Sequence, residues 1–184
     1  MESKLIGYFS KKRKENIRVL SSHNVLEICN ACLCSFVVPD NWVEHWKHND
    51  YFLFNSPIIA YSIIQDLEDC HEYVLYAYKQ YQFRVENGSV FDEEVESENV
   101  EDLSSEFVLL GYDAVNRNYS KQFGCSPLFC NLGAEKMKTN KYCLFSSFNE
   151  ALEGAVIFSR GHGEPGPYYV VEVYRADYQD ILGI

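Results

Sequence analysis

The chain lacks most of the features that would narrow its function at once. No N-terminal segment joins a basic start to a continuous apolar stretch and a small-residue cleavage site, because Lys11, Lys12, Arg13 and Lys14 interrupt the early apolar patch. No apolar run approaches the length that crosses a bilayer, so the expectation is a soluble, cytoplasmic protein. The seven cysteines are an odd number without the regular spacing of a disulfide framework, and read as reduced, mostly core-filling thiols. Positive charge is scarce: 16 Lys and Arg stand against 27 Asp and Glu, a formal net charge of −11. A surface of that sign repels phosphate backbones and anionic lipid. It sets nucleic acid and membranes aside as partners and leaves a basic protein as the permitted one.

What is present is apolar and aromatic. Hydrophobic residues make up 47% of the 184, with 14 Tyr and 12 Phe, enough for one packed domain or two small ones sharing a core. Within this length the chain matches itself. Leu5-Ile6-Gly7-Tyr8 with Arg13 returns as Leu109-Leu110-Gly111-Tyr112 with Arg117, and Cys29-Asn30 as Cys130-Asn131. Asn49-Asp50-Tyr51-Phe52-Leu53-Phe54-Asn55-Ser56 returns as Asn140-Lys141-Tyr142-Cys143-Leu144-Phe145-Ser146-Ser147, and the stretch from Tyr73 to Tyr78 as that from Tyr169 to Tyr174. Matches that keep their order while the loops between them change length point to an internal duplication.

Each copy reads alike. Strands are expected at 5–9 and 107–115, at 51–54 and 142–145, and at 73–78 and 168–174. A helix stands before the last strand of each copy. In the first, Ser56 caps it with Pro57 at its first position; in the second, Ser147 caps it with Glu150 three residues on, a capping box. Asn87-Gly88 between short β-rich runs signals a two-residue hairpin. The fold class expected is therefore α+β, two tandem copies of a β-(loop/helix)-β-α-β unit packed with pseudo-two-fold symmetry. The units span residues 1–90 and 107–184, with an acidic, solvated linker at 91–106.

Groups that could carry chemistry are few. Cys29-x-x-Cys32-x-Cys34, with His23, His45 or His48, has the spacing of one side of a zinc site, but no second pair exists and the apolar run from Val25 to Val38 favours core thiols; no metal or cofactor is expected. Cys125 or Cys130 with His162 is a candidate nucleophile and base, but no nucleophile signature surrounds them and a structural role is favoured. The run from Gly161 to Pro167 is rich in glycine but leads from helix to strand, the reverse of a phosphate loop, and is longer than its counterpart at 68–72, which makes it a binding-loop candidate. Lys11 to Lys14 is read as a solvated strand end or turn. Trp42, Trp46, Tyr61, Tyr76, Tyr78 and Tyr81 are read mainly as core, with an exposed ligand surface as the alternative.

The second copy carries Leu110-Gly111-Tyr112-Asp113, Cys125-Ser126-Pro127-Leu128, Cys130-Asn131, Asn140 with Tyr142, and Glu164-Pro165-Gly166-Pro167-Tyr168-Tyr169. In these it resembles a group of small bacterial proteins, some of the immunity type that protect a cell from a toxin. That resemblance covers residues 107–175. No catalytic residues carry over from it; with the small size, the expected cytosolic address, the strong acidity and the lack of a catalytic signature, the reading is a non-enzymatic, antitoxin-like binding protein with a basic toxin as partner. The candidate binding residues are His162, Glu164, Tyr168, Asp113 and Arg117. The alternatives are a small cysteine-dependent enzyme and a ligand-sensing or phage-encoded regulatory domain.

Overall fold

The structure is a computed structural model that describes residues 1–13, 25–33, 47–97, 99–117, 121–162 and 164–183, with the His162 side chain excepted. Lys14, His23, Cys34, Trp42, His45, Trp46 and Gly163 lie outside the described residues. The strands are β1 (Ser3–Lys12), β2 (Tyr73–Tyr81), β3 (Phe83–Glu86), β4 (Ser89–Asp92), β5 (Val108–Asn116) and β6 (Tyr168–Ala176). The helices are α1 (Pro57–Ser62), α2 (Pro127–Cys130), α3 (Phe148–Ile157) and α4 (Tyr178–Leu182). The protein is α+β: all six strands join one antiparallel sheet, in which β2 and β6 lie side by side, β1 flanks β2 and β5 flanks β6. The β3–β4 hairpin attaches to β6 through Val85 opposite Tyr168. Its turn carries Asn87 at φ 50 and Gly88 at φ 79, the double left-handed geometry that an Asn-Gly pair favours.

Register decides which residues face which layer, because side chains alternate across a strand. Ser10 of β1 and Ala114, Tyr168 and Val170 of β5 and β6 lie on the helical face. There Ser10 donates to the Ala60 carbonyl of α1, and Ala151 and Ala155 of α3 join Ala114 and Val170 in one cluster. Lys11, Tyr76, Tyr78, Gln80, Asp113 and Arg175 lie on the other face. An extended segment, residues 25–33, crosses that face, and its Leu26 and Cys29 amides donate to the carbonyls of Lys141 and Tyr142.

One local device is built twice. Near the start of β1 the register shifts at Gly7 (φ 143), and near the start of β5 at Gly111 (φ 152). A Cβ on Gly7 would meet the Leu53 Cβ at 2.7 Å, and one on Gly111 the Phe145 carbonyl oxygen at 2.6 Å, so both glycines admit a close neighbour. That neighbour is a tight turn. Asn49 Nδ2 donates to the Ile6 carbonyl while its Oδ1 accepts from the Tyr51 and Leu53 amides; Asn140 does the same with the Leu110 carbonyl and the Tyr142 and Leu144 amides. The expected strands at 51–54 and 142–145 are therefore turns, with Phe52 at φ 60 and Cys143 at φ 59. Within them only Phe54 and Phe145 make bridges, Phe54 to Tyr8 and His48 and Phe145 to Tyr112. The Asn side chain supplies the acceptor that a second strand would have supplied, which overrides the β-rich composition.

The expected caps are present. Ser56 accepts from the Ile59 amide at the start of α1, and Ser147 and Glu150 form a complete capping box on α3. Helix α1 ends at Ser62, so Ile63, Ile64 and Leu67 pack from turns. Among the described residues no helix is long and apolar enough to cross a membrane.

Candidate functional site

Two features stand out once the fold is assembled: a sealed polar network under the 25–33 segment, and an acidic strap anchored by Val95, Phe107 and the Tyr8 hydroxyl. The network centres on Asp113, which the register of β5 turns inward and leaves with no exposure. Its Oδ1 accepts from Ser126 Oγ at 2.7 Å and the Ala114 amide at 2.9 Å, and its Oδ2 from the Ala31 amide at 2.8 Å and Asn30 Nδ2 at 3.4 Å. Asn30 Nδ2 also reaches Ser126 Oγ and the Cys143 carbonyl. Burial pushes the Asp113 carboxyl up to about 6, while Ser126 and the two backbone amides pull it back down.

Lys11 enters the same layer. Its Nζ donates to the Asn30 carbonyl at 2.5 Å and lies 4.6 Å over the Tyr76 ring, with only 3% of the residue exposed. The basic run expected to be a solvated strand end is thus divided: Lys11 is interior, Lys12 pairs with Asp69, and Arg13 pairs with Asp177 at 2.5 Å. Strand alternation alone would place Lys11 on the core face, and the long aliphatic stem lets it stay there. Tyr76 donates to Cys29 Sγ at 3.5 Å, and burial pushes the Cys29 thiol up to about 11. Cys29, Cys32 and Cys143 are all buried, as expected of core thiols. Among the described residues no cluster of three or more His, Cys, Asp or Glu is placed to hold a metal.

Arg117, at the end of β5, is also buried. Its guanidinium lies 4.2 Å over Tyr169, 4.9 Å over Tyr51 and 5.2 Å over Phe123, and donates to Gln80 Oε1. Burial lowers it to about 10, which leaves it cationic at neutral pH. Tyr168 is fully buried and donates to the Glu164 carbonyl. Glu164 is exposed, with Oε1 accepting from Asn131 Nδ2 at 3.4 Å. So of the residues expected to bind, Asp113, Arg117 and Tyr168 face the interior and Glu164 faces solvent; His162 follows Gly161 (φ 99) in the turn after α3, and its side chain is outside the described residues. The Cys-Asn match also separates: Asn30 is buried in the network, whereas Asn131 is exposed behind α2.

The acidic strap runs through residues expected to be solvated. Val95 is 1% exposed and Phe107 8%, and Val100 and Leu103 pack against the same core cluster. Tyr8 Oη donates to the carbonyls of Glu101 at 2.8 Å and Asp102 at 3.0 Å, and the Glu101 amide donates to the Asn55 carbonyl. These anchors turn Glu94, Glu96, Glu101, Asp102 and Glu106 outward, all of them exposed. The signal that could have found the strap is the recurrence of Val95, Val100, Leu103 and Phe107 among the acids, which a solvated linker has no reason to carry. Searches against protein-family models, curated proteins and solved structures give no match.

Proposed function

We propose that this chain is a non-enzymatic protein-binding inhibitor of the immunity or antitoxin type, which neutralises a basic toxin enzyme by stoichiometric binding. The observation that carries the reading is the acidic strap. Its carboxylates are not on a loose linker but on a backbone fixed by Val95, Phe107 and the Tyr8 hydroxyl, so their field points outward from a set position. A fixed field of one sign attracts a basic partner and costs less ordering on binding than a mobile one. The interior is consistent with the same reading, because the Asp113 carboxylate takes its hydrogen bonds from Ser126, Asn30 and two backbone amides without solvent access. In this reading the encounter takes place in the cytosol and excludes nucleic acid and membrane.

We further propose that the fold is a tandem duplication with pseudo-two-fold packing. Gly7 lies opposite Tyr78 and Gly111 opposite Val173, which makes Val173 the equivalent of Tyr78, one residue earlier than letter matching suggests. On that equivalence the β2–β6 ladder is symmetric about the Tyr78–Val173 pair: Ala77 faces Tyr174 as Lys79 faces Glu172, and Tyr76 faces Arg175 as Gln80 faces Val171. The Arg13 amide donates to the Glu72 carbonyl and the Arg117 amide to the Pro167 carbonyl, in the same relation.

The test is co-purification of the tagged chain at low salt, followed by binding kinetics with the partner recovered. Association should slow as salt rises, since screening shortens to roughly 8 Å near physiological ionic strength. Reversing Glu94 and Glu101 to Lys should weaken the complex while the urea midpoint holds; Glu96 is left in place because its carboxylate already pairs with Lys121 at 2.7 Å. Glu164→Lys reports on the 161–167 loop. The proposal fails if no protein partner appears, or if Cys125→Ser abolishes a turnover measured in the isolated chain.

A further inference from the structure

Strand β4 leaves one edge of the sheet open. The outer edges of β1 and β5 are each met by a turn, through the Tyr8–Phe54 and Tyr112–Phe145 bridges. Beyond β4 no further strand follows among the described residues, and all four of its own residues, Ser89–Asp92, are exposed.

The hairpin register fixes which main-chain groups face outward. Glu86 pairs with Ser89, Val85 with Val90, Arg84 with Phe91 and Phe83 with Asp92, and just past them the Glu93 amide donates to the Gln82 carbonyl at 3.1 Å. Bonded and non-bonded positions alternate along an antiparallel pair. Ser89, Phe91 and Glu93 therefore turn their main-chain groups to the β3 side, while Val90 and Asp92 turn theirs away. Among the described residues no backbone group takes up the outward amides and carbonyls of Val90 and Asp92.

This edge is held from three directions. At the hairpin tip the Gly88 amide donates to Ser159 Oγ at 2.9 Å, β3 meets β6 at Val85 and Tyr168, and Val95, just past β4, is buried. Donors and acceptors fixed in this way lose little freedom when a partner engages them. The surroundings are apolar and acidic. Val90 and Phe91 are 43% and 44% exposed, and Asp92 and Glu94 face solvent beside them. The neighbouring cation, Arg84, is already engaged by Glu93 at 3.1 Å and Glu86 at 3.6 Å. An open edge invites pairing with a second copy, but a net charge of −11 on each chain opposes it. A basic strand meets the opposite sign.

We propose that β4 takes up an extended basic segment of a protein partner as an added strand. The segment bonds through its main chain to Val90 and Asp92, lays apolar side chains against Val90 and Phe91, and places basic ones beside Asp92 and Glu94. The inference rests on the reading that the partner is basic, and adds the way in which it is held.

The probe is a short labelled peptide of alternating lysine and valine, titrated into the intact chain at low salt and followed by fluorescence anisotropy. A copy of the peptide methylated on every backbone nitrogen keeps the charge and side chains but cannot donate. It should bind about tenfold more weakly or worse, as expected for the loss of main-chain hydrogen bonds. Val90→Pro removes an outward amide and leaves the bonds between β3 and β4 intact; it should weaken the unmodified peptide about fivefold. If that variant does not fold, the two peptides on the native chain decide alone. The proposal is overturned if the unmodified peptide does not bind, if the methylated copy binds equally well, or if the chain sediments as a dimer that Val90→Pro dissociates. It is also overturned, with the acidic strap left standing, if Val90→Pro leaves partner binding unchanged while the reversals of Glu94 and Glu101 weaken it.

Discussion

At the scale of single residues, the clearest lesson is how one side chain can replace a strand. Asn140 holds a turn with one donated and two accepted hydrogen bonds, and Asn49 holds its counterpart in the same way. Asn140→Ala would leave the Leu110 carbonyl and two amides without that partner. The expected cost is roughly 2–3 kcal/mol of unfolding free energy, read from the urea midpoint at unchanged slope; a shift below about 0.5 kcal/mol would remove the turn from the account.

Asp113 makes a prediction with a definite sign. Its folded value, about 6, lies above its ordinary 3.8, so the folded chain holds this proton more tightly than the unfolded chain. The stability this protonation contributes is complete below the ordinary value and is lost as pH rises through about 6. Asp113→Asn cannot ionise. Relative to wild type it should therefore gain up to about 3 kcal/mol between acid and neutral pH, on top of a constant penalty for turning one acceptor into a donor that faces other donors. Urea titrations at both ends of that range check it, and a pH-independent difference between the two proteins would contradict the assignment.

At the scale of elements, the helices differ in how much of their start is written locally. In α3 the Ser147 side chain accepts from the Glu150 amide and Glu150 reaches back to the Ser147 amide. Ser147→Ala should cost about 1 kcal/mol. Ser56→Ala should cost less, since no reciprocal partner completes a box around its bond to the Ile59 amide. Thermal unfolding of the two variants side by side gives the order. Strand β4 is the least protected element, with all four residues exposed. Its hairpin was legible because Asn87-Gly88 needs no tertiary help to adopt its turn.

At the scale of the whole molecule, the two halves of the chain share one interior. Asp113 of the later half takes hydrogen bonds from Ala31 and Asn30 of the earlier half, Arg175 pairs with Glu27 at 2.6 Å, and β2 and β6 lie side by side in the sheet. A fragment of residues 107–183 would expose one edge of β6 and leave Asp113 without two of its four donors. It is expected to lack a cooperative thermal transition, measured by circular dichroism, whereas the full chain should unfold in one step. A folded fragment would show that the shared layer is dispensable.

Local chemistry by itself determined much of this protein. Strand alternation, the two serine caps, the Asn-Gly hairpin and the paired Leu-x-Gly-Tyr segments are settled by residues within a few positions of one another, where the interacting groups are already adjacent in the chain. Only the tertiary structure decided where charged and polar residues would lie. Lys11 reads as surface until the 25–33 segment covers it, the burial of Asp113 is decided by the register of β5 and that of Arg117 by Tyr51, Phe123 and Tyr169 around it, and the acids of 91–106 read as a solvated linker until Val95 and Phe107 find the core. Each of these outcomes rests on partners far away in sequence, as with Asp113 and Ala31 or Tyr8 and Glu101. The free energy of burying a charge depends on those partners and not on its neighbours in the chain.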